Sequence, residues 1–189
     1  IAEMSLNTLV GIIDTLMISR LIGEDALTAA GYANQIIMTI ILVFSSFNIG
    51  ATAMISRSYG EKDYEKLNNV LGQNLTINVL VGAAITILSL VFGSNIISIF
   101  NTSPSILDMS TSYFYIVSYS QVFTFISFAA ASSIRGVQDT KTPMIVTAFV
   151  NVLNIIGNYV LITGFWIFPK MGIAGAALST SISRVIGGT

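Results

Sequence analysis

Apolar residues fill this chain in long blocks, and short polar clusters separate them. The blocks read as helices, because cap and turn residues bound them and none shows the strict alternation of a strand. The first covers residues 1–22 and stops at Gly23-Glu24-Asp25, where Asp25 is placed to cap the next helix. The second covers 26–58, long for one membrane crossing, which predicts tilt or a bend near Asn48-Ile49-Gly50. Gly60 suits a left-handed residue at its end, and a charged connector over 61–66 follows. The third helix covers 67–92. Asn101-Thr102-Ser103-Pro104 interrupts the chain, with Ser103 as N-cap and Pro104 in the first turn of a fourth helix that reaches 134. After the connector at 135–141, Thr142-Pro143 repeats that signal and opens a fifth helix, 143–164. Phe165-Trp166-Ile167-Phe168-Pro169-Lys170 reads as a segment at headgroup depth. A sixth helix covers 172–189.

Composition turns these helices into membrane spans. Of 189 residues, 53% are hydrophobic and 9% charged, with a mean hydropathy of +0.81. A soluble domain carries about 25% charged residues, so this chain lacks the polar surface to stand in water. Runs of roughly 20 apolar residues suffice to cross the hydrocarbon layer. The fold class is therefore all-α and polytopic transmembrane, a six-helix bundle. The second-to-third and fourth-to-fifth connectors hold Arg57, Lys62, Lys66, Arg135 and Lys141, and the other connectors hold Arg20 and Lys170. Basic loops stay on the cytoplasmic side, which predicts a cytoplasmic N-terminus and sets Arg184 near the inner end of the last helix. The net charge of −1 excludes a nucleic-acid footprint. No His and no Cys occur, and the carboxylates other than Asp14 fall in loops or at helix ends, which points away from an enzyme. No cofactor is expected. No signal peptide is evident, and the chain starts at Ile1 inside an apolar pattern, so it reads as an internal piece of a longer protein.

Asp14 stands out, a carboxylate within the apolar run Leu9-Val10-Gly11-Ile12-Ile13-Asp14-Thr15-Leu16-Met17-Ile18. A charge at the centre of a membrane helix costs about 2.5–3.5 kcal/mol on insertion scales and marks function by default. Asp14 precedes Arg20 by the same number of residues that separates Asn158 from Gly164, placing each roughly 9 Å from the outer end of its helix. Asn154 lies one turn deeper on the face of Asn158, and Thr180 falls mid-membrane on the returning helix. One carboxylate, two amides and a hydroxyl in one layer offer hard oxygen ligands for Na⁺ or an acceptor network for a proton. A structural reading stands beside it: Asp14 bonded to a neighbouring helix, and the asparagines, with Asn151 a turn further in, as glue between helices. Two rows of small residues, Gly172-Ala176-Thr180 and Gly175-Ser179-Ser183, predict close helix packing. Tyr113, Tyr115, Tyr119, Phe123 and Phe128 could line a pocket for an aromatic or cationic ligand. Tyr119 and Phe123, with Asn34 and Gln35 of the second helix, are the candidate substrate-cavity residues.

Four stretches carry a resemblance to the multidrug and toxic compound extrusion (MATE) family. They are Val10-Gly11-Ile12-Ile13-Asp14-Thr15-Leu16-Met17, Ser56-Arg57-Ser58-Tyr59-Gly60-Glu61-Lys62, Arg135-Gly136-Val137-Gln138-Asp139-Thr140-Lys141-Thr142-Pro143-Met144, and Gly172-Ile173-Ala174-Gly175-Ala176-Ala177-Leu178-Ser179-Thr180. The resemblance covers essentially the whole chain. It implies twelve helices in two six-helix lobes around a central cavity, of which this chain is similar to the N-terminal lobe, without the proline-containing start of helix one. It also implies export of drugs, organic cations and other xenobiotics in exchange for H⁺ or Na⁺. Asp14 matches the family's coupling carboxylate, Asn154 and Asn158 match a polar pair on helix five, and Thr180 matches a helix-six hydroxyl. Some members carry an aspartate where this chain has Asn158, so a two-carboxylate mechanism does not transfer directly.

The expectation is thus an ion-coupled antiporter lobe in a bacterial plasma membrane, with a small-molecule drug, the bilayer and a second six-helix lobe as partners. Two other readings remain at this stage. One is a related flippase of lipid-linked oligosaccharides, whose cavity would need several cations for pyrophosphate. The other is a non-transporting membrane assembly module in which Asp14 only holds a neighbouring helix.

Overall fold

A computed structural model of the protein describes residues 2–165 and 168–189, with the backbone alone for 2–5 and 7. Ile1, and Trp166 and Ile167 of the expected headgroup segment, lie outside the described residues. Seven α-helices follow in order: α1 (Ala2–Leu21), α2 (Glu24–Gly60), α3 (Tyr64–Ser98), α4 (Pro104–Ser118), α5 (Gln121–Gly136), α6 (Lys141–Thr163) and α7 (Gly172–Gly188). No strand occurs among the described residues. α2, α3 and α6 are each long and apolar enough to cross a membrane, and α4 and α5 qualify together as one broken span.

That break corrects the continuous fourth helix expected over 104–134. α4 and α5 meet at 49° around Tyr119-Ser120, where the sequence has neither Gly nor Pro. Ser120 makes the bend itself. Its backbone N–H donates to the Val117 carbonyl at 3.1 Å and its hydroxyl donates to the same oxygen at 2.8 Å. These bonds tighten the turn and pull it off the regular ladder. From α3, the Thr86 hydroxyl donates to the Ser118 carbonyl at 3.4 Å and occupies an acceptor at the bend.

The helix ends differ from expectation in instructive places. α2 begins at Glu24, with Gly23 (φ 131°) as its N-cap, and Asp25 sits inside the first turn rather than capping it. α2 also continues through Gly60, and the left-handed residue after it is Lys62 (φ 57°). Half of the expected connector is helix, because Asp63 accepts from the Lys66 N–H and starts α3 at Tyr64, three residues early. At the far end α3 runs to Ser98, well past residue 92. Ser103 caps α4 as its position predicts. Thr142 does not cap α6: Asp139 accepts from the Lys141 and Thr142 N–H groups, each at 3.0 Å, and from the Thr142 hydroxyl at 2.6 Å. Asp139 thereby takes the capping role one turn earlier. Gly164 ends α6 in the left-handed region (φ 73°), and Lys170 N would stand 2.6 Å from any Cβ placed there.

Small residues decide how tightly α6 and α7 pack. A Cβ on Gly175 would meet the Leu161 carbonyl oxygen at 2.6 Å, and one on Gly157 would meet the Ser179 hydroxyl at 2.4 Å. Gly175, Ser179 and Ser183 are all buried, so this row is an interface of close backbone approach. The main apolar core joins Ala26, Ala30, Ala33 and Ile37 of α2 to Phe114 and Val117 of α4, Ile162 of α6 and Ala176 and Ala177 of α7. Ile55, Leu67 and Val70 form a smaller core at the opposite end of α2.

A polar layer lies along α2, α3 and α5. Asn48 and Asn78 exchange amide bonds, both at 3.2 Å. Asn78 also donates to Asn74 Oδ1 at 3.0 Å, and Asn74 donates to the Ser132 hydroxyl at 3.0 Å and the Ala129 carbonyl at 3.2 Å. Ser132 closes the ring by donating to Asn48 Oδ1 at 3.3 Å. All four side chains are buried. Every amide N–H₂ here finds an acceptor, so the layer ties three helices together and leaves little capacity for a ligand.

Candidate coupling site

α1 brings Asp14 against α6, partly buried, nearer the C-terminal end of its helix. Asn158 on α6 donates an amide hydrogen to Asp14 Oδ1. Asn154, one turn earlier on the same face, lies between Asp14 and Thr180 of α7. A bare carboxylate only accepts, and with its amide nitrogen toward α1 Asn154 donates to both Asp14 oxygens, at 3.1 and 3.3 Å. The other end of the amide lies beside Thr180 Oγ1, 3.4 Å away.

The backbone behind these side chains is held firmly. The Ser179 hydroxyl donates to the Asn154 carbonyl at 2.9 Å, an approach that Gly157 permits. Asn158 is 1% exposed, and its Oδ1 has no hydrogen-bond partner among the described residues. That oxygen is an open acceptor beside the carboxylate.

The four expected coupling residues thus form one cluster. Its edge includes Tyr113 of α4, named in the sequence only as one of five aromatic residues. Tyr113 is buried, lies within hydrogen-bond reach of Thr180, and accepts from the Asn34 amide at 3.5 Å. Asn34 therefore joins the polar cluster rather than a separate cavity. The other expected cavity residues do not gather with it. Gln35 is exposed, Tyr119 is 66% exposed at the α4–α5 break, and Phe123 backs onto Gly188 of α7. Of the remaining aromatics, Tyr115 accepts from the Ser94 N–H and Phe128 packs edge-on against Phe125. An apolar groove of about 620 Å³ opens between α1 and α6, lined by Ile13, Leu16, Met17, Ile155 and Ile156 with Arg20 among its borders. None of the four expected cavity residues lines it.

Arg184 stands one turn from the C-terminal end of α7, as its place in the sequence predicts. Its side chain is partly buried, and Nη1 has no hydrogen-bond partner among the described residues. Arg184 is four residues after Thr180 and so shares its helix face.

Chemically, the cluster offers one carboxylate with amide and hydroxyl oxygens around it. Among the described residues there is no group of three or more His, Cys, Asp or Glu side chains that could hold a metal ion. A small hard cation with modest charge, or a proton, fits such a donor set.

Comparison with known proteins agrees with this architecture. The MatE family model matches residues 1–160. The probable multidrug resistance protein YoeA of Bacillus subtilis is 32% identical over 181 residues, covering 96% of this chain and 38% of its own length. The probable multidrug resistance protein NorM of Thermotoga maritima is 30% identical over 186 residues, covering 98% of this chain and 40% of its own. The multidrug export protein MepA of Staphylococcus aureus is 26% identical over 180 residues, 95% of this chain and 39% of its own. Among solved structures, a MATE protein in complex with MaL6 superimposes with a TM-score of 0.91 at 24% identity, over 99% of this chain and 40% of that one. The outward-facing form of a multidrug resistance MATE transporter gives a TM-score of 0.90 over similar shares. The chain spans about two fifths of the length of the curated relatives it matches. On the family match over residues 1–160, this protein belongs to the MatE family of membrane transporters and forms one helical lobe of that fold.

Proposed function

We propose that this lobe is the ion-coupling half of an antiporter that exports drugs, organic cations or other xenobiotics in exchange for H⁺ or Na⁺. One observation carries the reading: a partly buried carboxylate, Asp14, shares a hydrogen-bonded cluster with Asn158, Asn154 and Thr180 from two other helices. A charge kept at that depth needs a task. Asp14 takes up H⁺ or Na⁺ and releases it. The open Oδ1 of Asn158 and the Thr180 hydroxyl supply further oxygens for the ion. Coupling follows if the ion and the drug favour different conformations, since equal affinity for both would shift nothing.

The drug class is carried over from relatives named as multidrug resistance and export proteins. Their greater length supplies the second lobe, which would close the cavity against this one. The membrane is a bacterial plasma membrane, entered with the N-terminus cytoplasmic because the basic connectors face inward. A flippase for lipid-linked sugars would need several cations in its cavity, and each Lys and Arg here falls in a connector or within about a turn of a helix end. The test is Asp14→Asn in the full-length protein. Ion-driven drug export in proteoliposomes is expected to vanish while membrane expression stays normal; retained H⁺- or Na⁺-driven export sinks the reading.

A further inference from the structure

The bend between α4 and α5 holds polar atoms that no other part of the chain answers. Gln121, the first residue of α5, is 0% exposed, and neither its Nε2 nor its Oε1 has a hydrogen-bond partner among the described residues. Ser118, the last residue of α4, is also 0% exposed, and its hydroxyl is equally unpartnered there. Residues three apart lie on one face of a helical turn, and Tyr119 between them faces outward. α3 closes the buried side. Its Thr86 hydroxyl reaches the Ser118 carbonyl, and a Cβ on Gly82 would stand 3.0 Å from Val122 Cα. The other hydroxyls of the joint are spent: Ser120 donates to the Val117 carbonyl and Thr124 to the Ser120 carbonyl. Gln121 is left with two amide hydrogens and an acceptor oxygen, halfway along a membrane span, where unmet polar groups are costly.

The kink makes the same demand from the backbone. Without Pro or Gly, a bend of 49° is of the kind sustained by a side chain or a water inserted into the helix ladder. The Ser120 bonds fix where the chain turns, but they use no atom of the Gln121 side chain. Its partner has to accept from Nε2 and donate to Oε1. A cation cannot accept, and an anion cannot donate. Water does both, and it can meet the Ser118 hydroxyl as well. We propose that the α4–α5 joint is a buried water site, in which the Gln121 amide and the Ser118 hydroxyl share a bound water that wedges the two half-spans at their angle.

The test uses full-length protein in detergent. A structure at a resolution that shows ordered water is expected to carry density bridging Gln121 and Ser118, with Na⁺ in the buffer or without it. Density that requires Na⁺, a direct bond between the two side chains, or no density at all overturns the proposal. Thermal unfolding supplies the sign. A Gln121 amide without any partner would be a burden, and Gln121→Leu would then raise the unfolding temperature. A water-bound amide is an asset, so Gln121→Leu is expected to lower that temperature by a few degrees. Adding Ser118→Ala is expected to cost less in Gln121→Leu than in the wild type, because the shared water has already lost its main partner. A rise with Gln121→Leu, or strictly additive losses, overturns the proposal. Gln121→Met, unbranched and apolar, replaces Gln121→Leu if that variant does not reach the membrane.

Discussion

Gly157 of α6 and Ser179 of α7 are in such close register that a Cβ on the glycine would lie 2.4 Å from the serine hydroxyl. That same hydroxyl holds the Asn154 carbonyl, so helix packing and the placement of the coupling amide are one arrangement. Gly157→Ala is expected to cost about 1–3 kcal/mol, the usual range for overpacking a tight interface. It should also weaken ion-driven export, because α7 must move away and take Ser179 off Asn154. Thermal unfolding in detergent and proteoliposome flux, measured on the same preparation, check both parts. Unchanged values in each would show that the interface has slack the geometry does not suggest.

Asn158→Leu tests the donor rather than the packing. It leaves Asp14 without the amide hydrogen it accepts. Hydrogen bonds to charged groups contribute about 1.5–3 kcal/mol, and a loss of that order is expected in denaturant unfolding at neutral pH. Ion dependence of transport is expected to disappear together with it.

The asparagine layer should behave differently. Asn78→Leu takes the acceptor from the Asn48 amide nitrogen and the donor from Asn74 Oδ1, at an expected cost of about 1–2 kcal/mol for polar contacts within a membrane bundle. Replacing Asn48 and Asn78 together removes both halves of the reciprocal pair, and the double variant should lose less than the sum of the singles. Ion coupling is expected to survive in all three. A double-mutant cycle with flux as a second readout decides this.

Asp139 gives a pH prediction outside the membrane. Hydrogen bonds from the Thr142 hydroxyl, then from the Thr142 and Lys141 backbone, hold its carboxyl below the ordinary value of 3.8. A lowered folded value means stabilisation that is complete above the unfolded value and lost as pH falls through the folded one. Asp139→Ala should therefore lower the unfolding temperature at pH 7, and the difference from wild type should close as pH drops below 3.8. Asp139→Asn, still able to cap, should show a smaller effect at neutral pH.

The cluster around Asp14 was readable in the sequence for two reasons. A carboxylate in an apolar run announces itself, and helical rise converts residue counts into depth. Adjacency of α1, α6 and α7 was not readable, because it depends on where Gly157 and Gly175 let backbones meet. The α4–α5 bend was hidden for a similar reason. Ser-Tyr-Ser carries no breaker, and Thr86, which occupies the Ser118 carbonyl, belongs to another helix. Asn74 and Asn78 show the same i, i+4 spacing as Asn154 and Asn158, yet the sequence reading passed over them. With no carboxylate nearby, that spacing marks glue as readily as a site. Counting residues put Arg184 near a helix end, and it stands one turn from the end of α7; that its Nη1 is buried there is set by the neighbouring helices and could not be counted.

The bend in the fourth span has a mechanical consequence. α7 grips it on both sides: Ser181 bonds to Ile116 before the break, and Gly188 lies against Phe123 after it. The two contacts are seven residues apart on each chain segment, so α7 runs alongside the fracture like a splint on a set bone. A splinted elbow keeps its angle. Any rocking of this lobe must carry α4, α5 and α7 together as one lever, with Arg184 riding on it beside the joint.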